Sequence, residues 1–312
     1  MAEWELRPLS LGEILDRTFS LYRKHFLLFI GITAIPHLLI LGLNLAQVFM
    51  TRWPNLATRS QGGTVQTPAF GSGLMAFGLF GMIIAIVIYV AAYLFAQGGT
   101  IYAVSDFYLG RSTTIRESLG KMWGQLLNLF GVVLLNGMAS GGLLLIFFLL
   151  FMVPGARVIG ALGIIVALPI CAYVGLRLIT CVPAALLEDL GARESLERSW
   201  ELTRDNVGRA FLIFLLYAAI IYGIMVLLMI PSLVMLAMTA KDPTLMRTSM
   251  ATMQVSNFVA GVLVGPFLLI AISVFYYDLR VKKEAFDLQM MMNPLGAAPS
   301  GPGSSSVPSI LS

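Results

Sequence analysis

Charge is what this sequence has least of. Lysine, arginine, aspartate and glutamate make up 12% of its 312 residues, about half the share usual in a soluble domain. The deficit is concentrated. No charged residue lies between Arg59 and Asp106, Lys121 and Arg157, Arg209 and Lys241, or Arg247 and Asp278. Each gap exceeds the ~20 residues a helix needs to cross a bilayer core. A soluble globular domain is excluded, and an all-α, polytopic integral membrane protein is expected. Cysteine and histidine are equally scarce, at two each. Cys171 and Cys181 fall on one apolar stretch, about 15 Å apart if helical, too far to bridge. Neither pair supplies zinc spacing, and no HExxH, GxSxG or Walker loop occurs. No catalytic residue, metal or cofactor is therefore expected. The net charge of +4 does not point to nucleic acid, because the bases are distributed by topology. The first 25 residues are charged and amphipathic, unlike a signal peptide.

The charges that exist fall into a recurring phrase. Glu13-Ile-Leu15-Asp-Arg17-Thr-Phe19, Glu117-Ser-Leu119-Gly-Lys121-Met-Trp123 and Glu194-Ser-Leu196-Glu-Arg198-Ser-Trp200 share the order acid, Leu, base, aromatic. Ser10 and Thr114 stand three residues before the first two acids, as capping boxes do; Gly191 holds that place in the third. In the first helix Leu11, Ile14, Leu15, Phe19 and Tyr22 define an apolar face, with Asp16, Arg17, Arg23 and Lys24 away from it. In the third, Leu196, Trp200 and Val207 form the apolar stripe. Short amphipathic helices of this kind lie on a membrane surface, apolar face down.

Six spans are expected, at 26–50, 73–96 with helix continuing to 108, 126–153, 158–187, 210–238 and 255–277. The layout is three repeats of surface helix plus transmembrane hairpin, at about 8–109, 110–190 and 191–292. The hairpins close on Asp106, Asp189 and Asp278. Glu284-Ala-Phe286-Asp287 resembles the start of a fourth surface helix, and 293–312 is a Pro/Gly/Ser tail that cannot form a core. On one side of this layout lie 14 lysines and arginines, on the other 5. The positive-inside rule then places both termini and all the surface helices in the cytoplasm.

Arg177 is the full-time charge inside a span and is a candidate site on that ground. It either snorkels to the interface or faces the bundle, there binding an anionic headgroup or pairing with an acid, for which Asp106 is the candidate partner. His37, after Pro36, is expected to bond a carbonyl freed by the proline. Asn44, Gln97 and Asn136 read as interhelical hydrogen-bonding residues, and Gly137/Gly141 and Gly261/Gly265 as close helix contacts. On the surface helices, Arg17, Arg23, Lys24, Lys121, Arg198 and Arg204 are placed to meet lipid phosphates. Phe19, Trp123 and Trp200 are placed to anchor at the interface.

LRPLSLGEILDRTFSLYRKHF, EDLGARESLERSWELTRDNVGRAF and YYDLRVKKEAFDLQMM together resemble a group of bacterial polytopic proteins similar to the membrane domain of glycerophosphoryl diester phosphodiesterase. The resemblance covers 6–292 and implies a bacterial membrane module without the catalytic barrel, so no catalytic residue carries over. The expected function is a non-enzymatic module of the bacterial cytoplasmic membrane that contacts anionic lipid or a membrane partner, another protein or a second copy, through its surface helices. The alternative is a transporter or lipid flippase with Arg177 in the substrate path.

Overall fold

The computed structural model describes residues 9–50, 72–239 and 245–284. Within these the chain forms ten α-helices: α1 (Leu11–Lys24), α2 (Phe26–Met50), α3 (Ser72–Tyr108), α4 (Ile115–Met122), α5 (Leu126–Met152), α6 (Arg157–Arg177), α7 (Cys181–Leu187), α8 (Ala192–Thr203), α9 (Val207–Thr239) and α10 (Met246–Glu284). Among the described residues there is no strand. Six segments are long and apolar enough to cross a membrane, one for each span expected from the charge gaps. The chain is a multi-pass membrane protein. The fourth-helix phrase beyond Glu284 and the tail lie outside the described residues.

The short helices start where their caps dictate. Ser10 Oγ accepts from the Glu13 amide at 3.3 Å while Glu13 Oε2 accepts from the Ser10 amide at 2.7 Å. Thr114 and Glu117 repeat the exchange at 3.3 and 3.0 Å. Gly191 has no side chain to contribute, so at α8 one half survives, its amide donating to Glu194 Oε2 at 3.1 Å. These reciprocal bonds satisfy amide groups that a helix start leaves unpaired.

Two faces differ from expectation. Arg17 is buried, with Ile14, Thr18 and Leu21, rather than turned away with Asp16. On α8 the buried residues are Ser195, Ser199, Leu202 and Thr203, while Trp200 of the apolar stripe is exposed. The reason is local satisfaction: Ser195 Oγ donates to Gly191 O at 2.6 Å and Thr203 Oγ1 to Ser199 O at 2.7 Å. Hydroxyls bonded to their own helix can be buried at little cost.

The fourth span is not one helix but two, α6 and α7. Pro183 offers no N–H, and its ring crowds the carbonyl four residues back, so regular helix cannot run through Ile179. The Cys181 amide turns to Leu178 O at 3.1 Å, leaving Arg177 O without its usual partner. Ser199 Oγ of α8 donates to that oxygen at 2.9 Å, and the Thr203 hydroxyl, also 2.9 Å from it, shares its one hydrogen between it and Ser199 O. The break in the span is thus what fastens the third short helix.

α10 is the hub. Over half of its apolar window is buried, against 6% for α5 and 11% for α9. Phe267, Ile270, Ala271, Val274 and Phe275 join the main core with Ile14, Leu21, Phe29, Ile32, Val104 and Tyr217 from α1, α2, α3 and α9. A second core beside it, with Leu94, Ile101, Met122, Leu129 and Val182, holds the α5–α6 hairpin at one end. Gly261 meets His37 as expected of a small-residue contact; a Cβ there would come within 2.3 Å of the imidazole. His37 Nδ1 in turn donates to Thr33 O at 2.8 Å, one residue along from the carbonyl that Pro36 frees. Gly137 and Gly141 instead face open space within the chain. Asn44 Nδ2 donates to Gln254 Oε1 at 3.1 Å, the interhelical bond expected of it. Gln97 Oε1 and Asn136 Oδ1 are buried without partners.

Candidate functional site at the short-helix layer

The base of the repeated phrase points inward in all three short helices. Lys121 Nζ lies 2.6 Å from Asp106 Oδ2, the acid that ends α3. Arg198 Nε lies 2.9 Å from Glu188 Oε2, the residue after α7. Arg17 donates to Tyr108 Oη at 3.1 Å, and its charge also reaches Asp278. Acids near hairpin ends therefore gather the bases, though the second hairpin uses Glu188 for this rather than Asp189. Asp189 instead accepts from Gln125 Nε2 and takes a φ of 53° in the turn.

The expected Arg177–Asp106 pair is not formed. Both residues lie on the same side of the helix bundle, but Asp106 is taken by Lys121, fifteen residues later in the chain and carried on the adjoining α4. Arg177 is 5% exposed, so it does not snorkel free. Its guanidinium carbon sits 4.2 Å from the centre of the Trp200 ring and 6.0 Å from that of Tyr173. Its Nε is buried without an acceptor.

At the centre of the layer stands the end of α10, Tyr276-Tyr277-Asp278-Leu279-Arg280. The Asp278 side chain is fully buried. It accepts from the Leu9 amide at 2.7 Å and from Arg209 at 2.9 Å, and lies 3.2 Å from Lys282. Arg209 also donates to Leu9 O at 2.7 Å, so the segment entering α1 is clipped to α9 and α10 together. Tyr276 donates to Glu188 Oε1 at 2.6 Å, and Arg280 Nε lies 3.6 Å from that oxygen. Tyr277 donates to Ser105 Oγ at 2.8 Å and stacks on Tyr108 with centroids 4.8 Å apart. Sequence reasoning takes these tyrosines as the apolar end of the last span. The signal that could have found them is the density of polar groups in YYDLR at the end of the longest helix.

Other expected site residues stay at the surface. Trp123 is 81% exposed, Phe19 45% and Trp200 40%. Phe19 keeps one edge on Phe267, at 4.6 Å between centroids, and Trp123 lies 5.8 Å from Phe95. Arg23, Lys24 and Arg204 are exposed. Tyr22 donates to Leu263 O at 2.8 Å; burial pushes its phenol above the usual value, so it remains a donor at any physiological pH. The layer thus has an inner ring of paired charges and an outer rim of aromatics and bases.

That inner ring joins helices to one another, because Asp106, Glu188 and Asp278 each carry a cation partner within 3 Å. Among the described residues, no three His, Cys, Asp or Glu side chains converge as metal ligands. A cavity between α1 and α9 is lined by Leu11, Leu15, Leu212, Leu216 and Tyr217, an apolar crevice without acids or bases.

No curated protein and no solved structure matches the chain. The resemblance read from the three phrases does hold against the family model: it spans the whole of the second and third phrases, while the first lies outside the matched stretch. The family description names a membrane domain and not the catalytic part of the enzyme. Residues 155–295, from the turn before α6 to beyond α10, match the membrane domain of glycerophosphoryl diester phosphodiesterase.

Proposed function

We propose that the protein is a non-enzymatic module of a bacterial cytoplasmic membrane, built from three copies of one unit, that meets anionic lipid through its three short helices. Both termini lie on the cytoplasmic side, following the excess of bases there. The observation that carries this reading is the aromatic of the repeated phrase: Phe19, Trp123 and Trp200 are all exposed at one register. Large rings displayed at the junction of a short helix and a span belong at a headgroup boundary, where one end of the ring is dry and the other wet. Arg23 and Arg204 stand on the same rim with no carboxylate partner among the described residues, and they complement anionic lipid. Arg17, Lys121 and Arg198 serve a different purpose, since their charges are met inside the chain. The rival reading, a transporter or flippase with Arg177 in its path, asks for a polar passage at that side chain. The Trp200 and Tyr173 rings flank that side chain, and rings of this kind favour a fixed seat over a polar passage.

The test removes rim contacts without touching the inner ring. In vesicles containing phosphatidylglycerol, the Trp123→Asp, Arg23→Glu double variant is expected to bind that lipid about a hundredfold more weakly than wild type. Each base near an anionic surface contributes ~1 kcal/mol, and this variant reverses one and adds a second carboxylate. Equal binding by wild type and variant would contradict the reading.

A further inference from the structure

We infer that Arg177, Tyr173 and Trp200 form a seat for one phosphate headgroup of an anionic membrane lipid. This rests on the reading above that α8 faces the lipid leaflet, and it assigns that face a defined site.

The first observation is an imbalance of charge. The other well-buried bases have acceptors: Arg17 has Tyr108 Oη, and Arg280 has Glu188 and Tyr276. The half-buried Arg198 and Arg209 hold carboxylates. Arg177, as buried as any of them, has no carboxylate and no side-chain hydrogen bond among the described residues. A buried cation is stable when it is paired and its donors are satisfied. Ring faces supply part of that through cation–π attraction, but they accept none of its five N–H groups in full hydrogen bonds. The Nε is sealed from the surface without a partner, while the terminal nitrogens are not sealed. Two terminal N–H groups side by side match the oxygens of a phosphate.

The second observation is where the seat opens. Tyr173 and Trp200 stand edge to face, 6.4 Å apart at 88°, and make a corner around the guanidinium. Along α6, Val166, Ile170, Tyr173 and Arg177 follow at intervals of four, three and four, one face of a helix. The first three are 61%, 48% and 49% exposed. This apolar stripe is about 16 Å long, close to the depth of one leaflet's hydrocarbon. It ends at the one cation. An acyl chain laid on the stripe brings its phosphate to Arg177, and a free anion would leave the stripe unused. The ligand class is therefore a phospholipid with net negative charge.

The third is rigidity. Ser199 and Thr203 hold Arg177 by its carbonyl, and Thr180 Oγ1 lies 2.9 Å from Ser199 Oγ. The backbone of the seat is fixed without using the side chain, so replacing that side chain leaves these bonds in place.

The experiment adds phosphatidylglycerol, phosphatidylcholine or inorganic phosphate to the full chain in a neutral detergent. Thermal midpoints are recorded, and retained lipid is counted by native mass spectrometry. Wild type is expected to keep one phosphatidylglycerol and gain about 5 °C at a hundredfold excess over Kd, with no gain from the other two additives. Arg177→Gln is expected to lose both the retained lipid and the gain, the gain being read against that variant's own midpoint without lipid. Tyr173→Leu, at a half-exposed position that does not hold the fold, is expected to lose most of the retention. The seat is overturned if Arg177→Gln keeps the full gain, or if inorganic phosphate alone reproduces it. Trp123→Asp, Arg23→Glu separates the two claims: if only this variant weakens lipid binding, the seat fails and the helix-rim reading stands. If only Arg177→Gln does, the rim reading fails and the seat stands.

Discussion

Replacing Asp278 with alanine is expected to destabilise the protein by about 3 kcal/mol, the lower end for removing one partner of a buried charge cluster. The lower end applies because Arg209 and Lys282, at 24% and 26% side-chain exposure, can partly hydrate once the acid is gone. The Leu9 amide cannot: Leu9 is 5% exposed and its acceptor disappears. The thermal midpoint in detergent should fall by about 6 °C, and amide exchange should rise at Leu9 before it rises elsewhere. Asp278→Asn should lose less, since its carbonyl oxygen can still accept from Leu9. An unchanged midpoint in Asp278→Ala would mean that the clip between α1, α9 and α10 contributes little to holding the bundle.

A methyl group added at Gly160 should cost about as much by the opposite mechanism. The α5–α6 hairpin closes so tightly that a Cβ at Gly160 would lie 2.4 Å from the amide nitrogen and 2.6 Å from the Cα of Phe151. Backbone cannot swing aside as a side chain can, so Gly160→Ala is expected to cost about 3 kcal/mol, the top of the overpacking range. Gly163 provides the comparison. A Cβ there meets the Phe147 ring at 2.0 Å, but that ring is only partly buried and can rotate away, so Gly163→Ala should lose less. Midpoints measured for both variants check the order. Equal losses, or a larger loss at Gly163, would show that the hairpin backbones are free to separate.

The six spans are legible in the sequence because charge is too costly in hydrocarbon to be scattered, so its gaps mark the spans directly. Boundaries are less legible where polar side chains bond within a helix. α10 starts at Met246 rather than near 255, since Thr252 Oγ1 donates to Thr248 O at 2.9 Å and Gln254 bonds Asn44 across to α2. The division of the fourth span is visible in outline at Pro183. Its position is fixed by something no local pattern records, the hydroxyls of Ser199 and Thr203 on another helix that take up the freed carbonyl.

The candidate site shows the same split. Arg177 stands out from sequence as a lone charge in a span, and its environment does set it apart. Its neighbours do not follow from sequence, because Asp106 shares its side of the bundle but lies within easier reach of Lys121. Register alone singles out Trp123 and Trp200, and both are exposed. Tyr276 and Tyr277 are hidden by their apolar character, and their hydroxyls gain meaning only once Glu188 and Ser105 are brought beside them.

The three short helices should share one face of the membrane, and impermeant thiol labelling tests this directly. Single cysteines at Asp16, Arg116 and Glu197 would place one reporter on the exposed face of α1, α4 and α8; the native Cys171 and Cys181 are buried. All three reporters should react in inverted vesicles and none in intact spheroplasts. Labelling of any one of them from the outer side would contradict a common cytoplasmic layer, and with it the proposed contact between these helices and the inner leaflet.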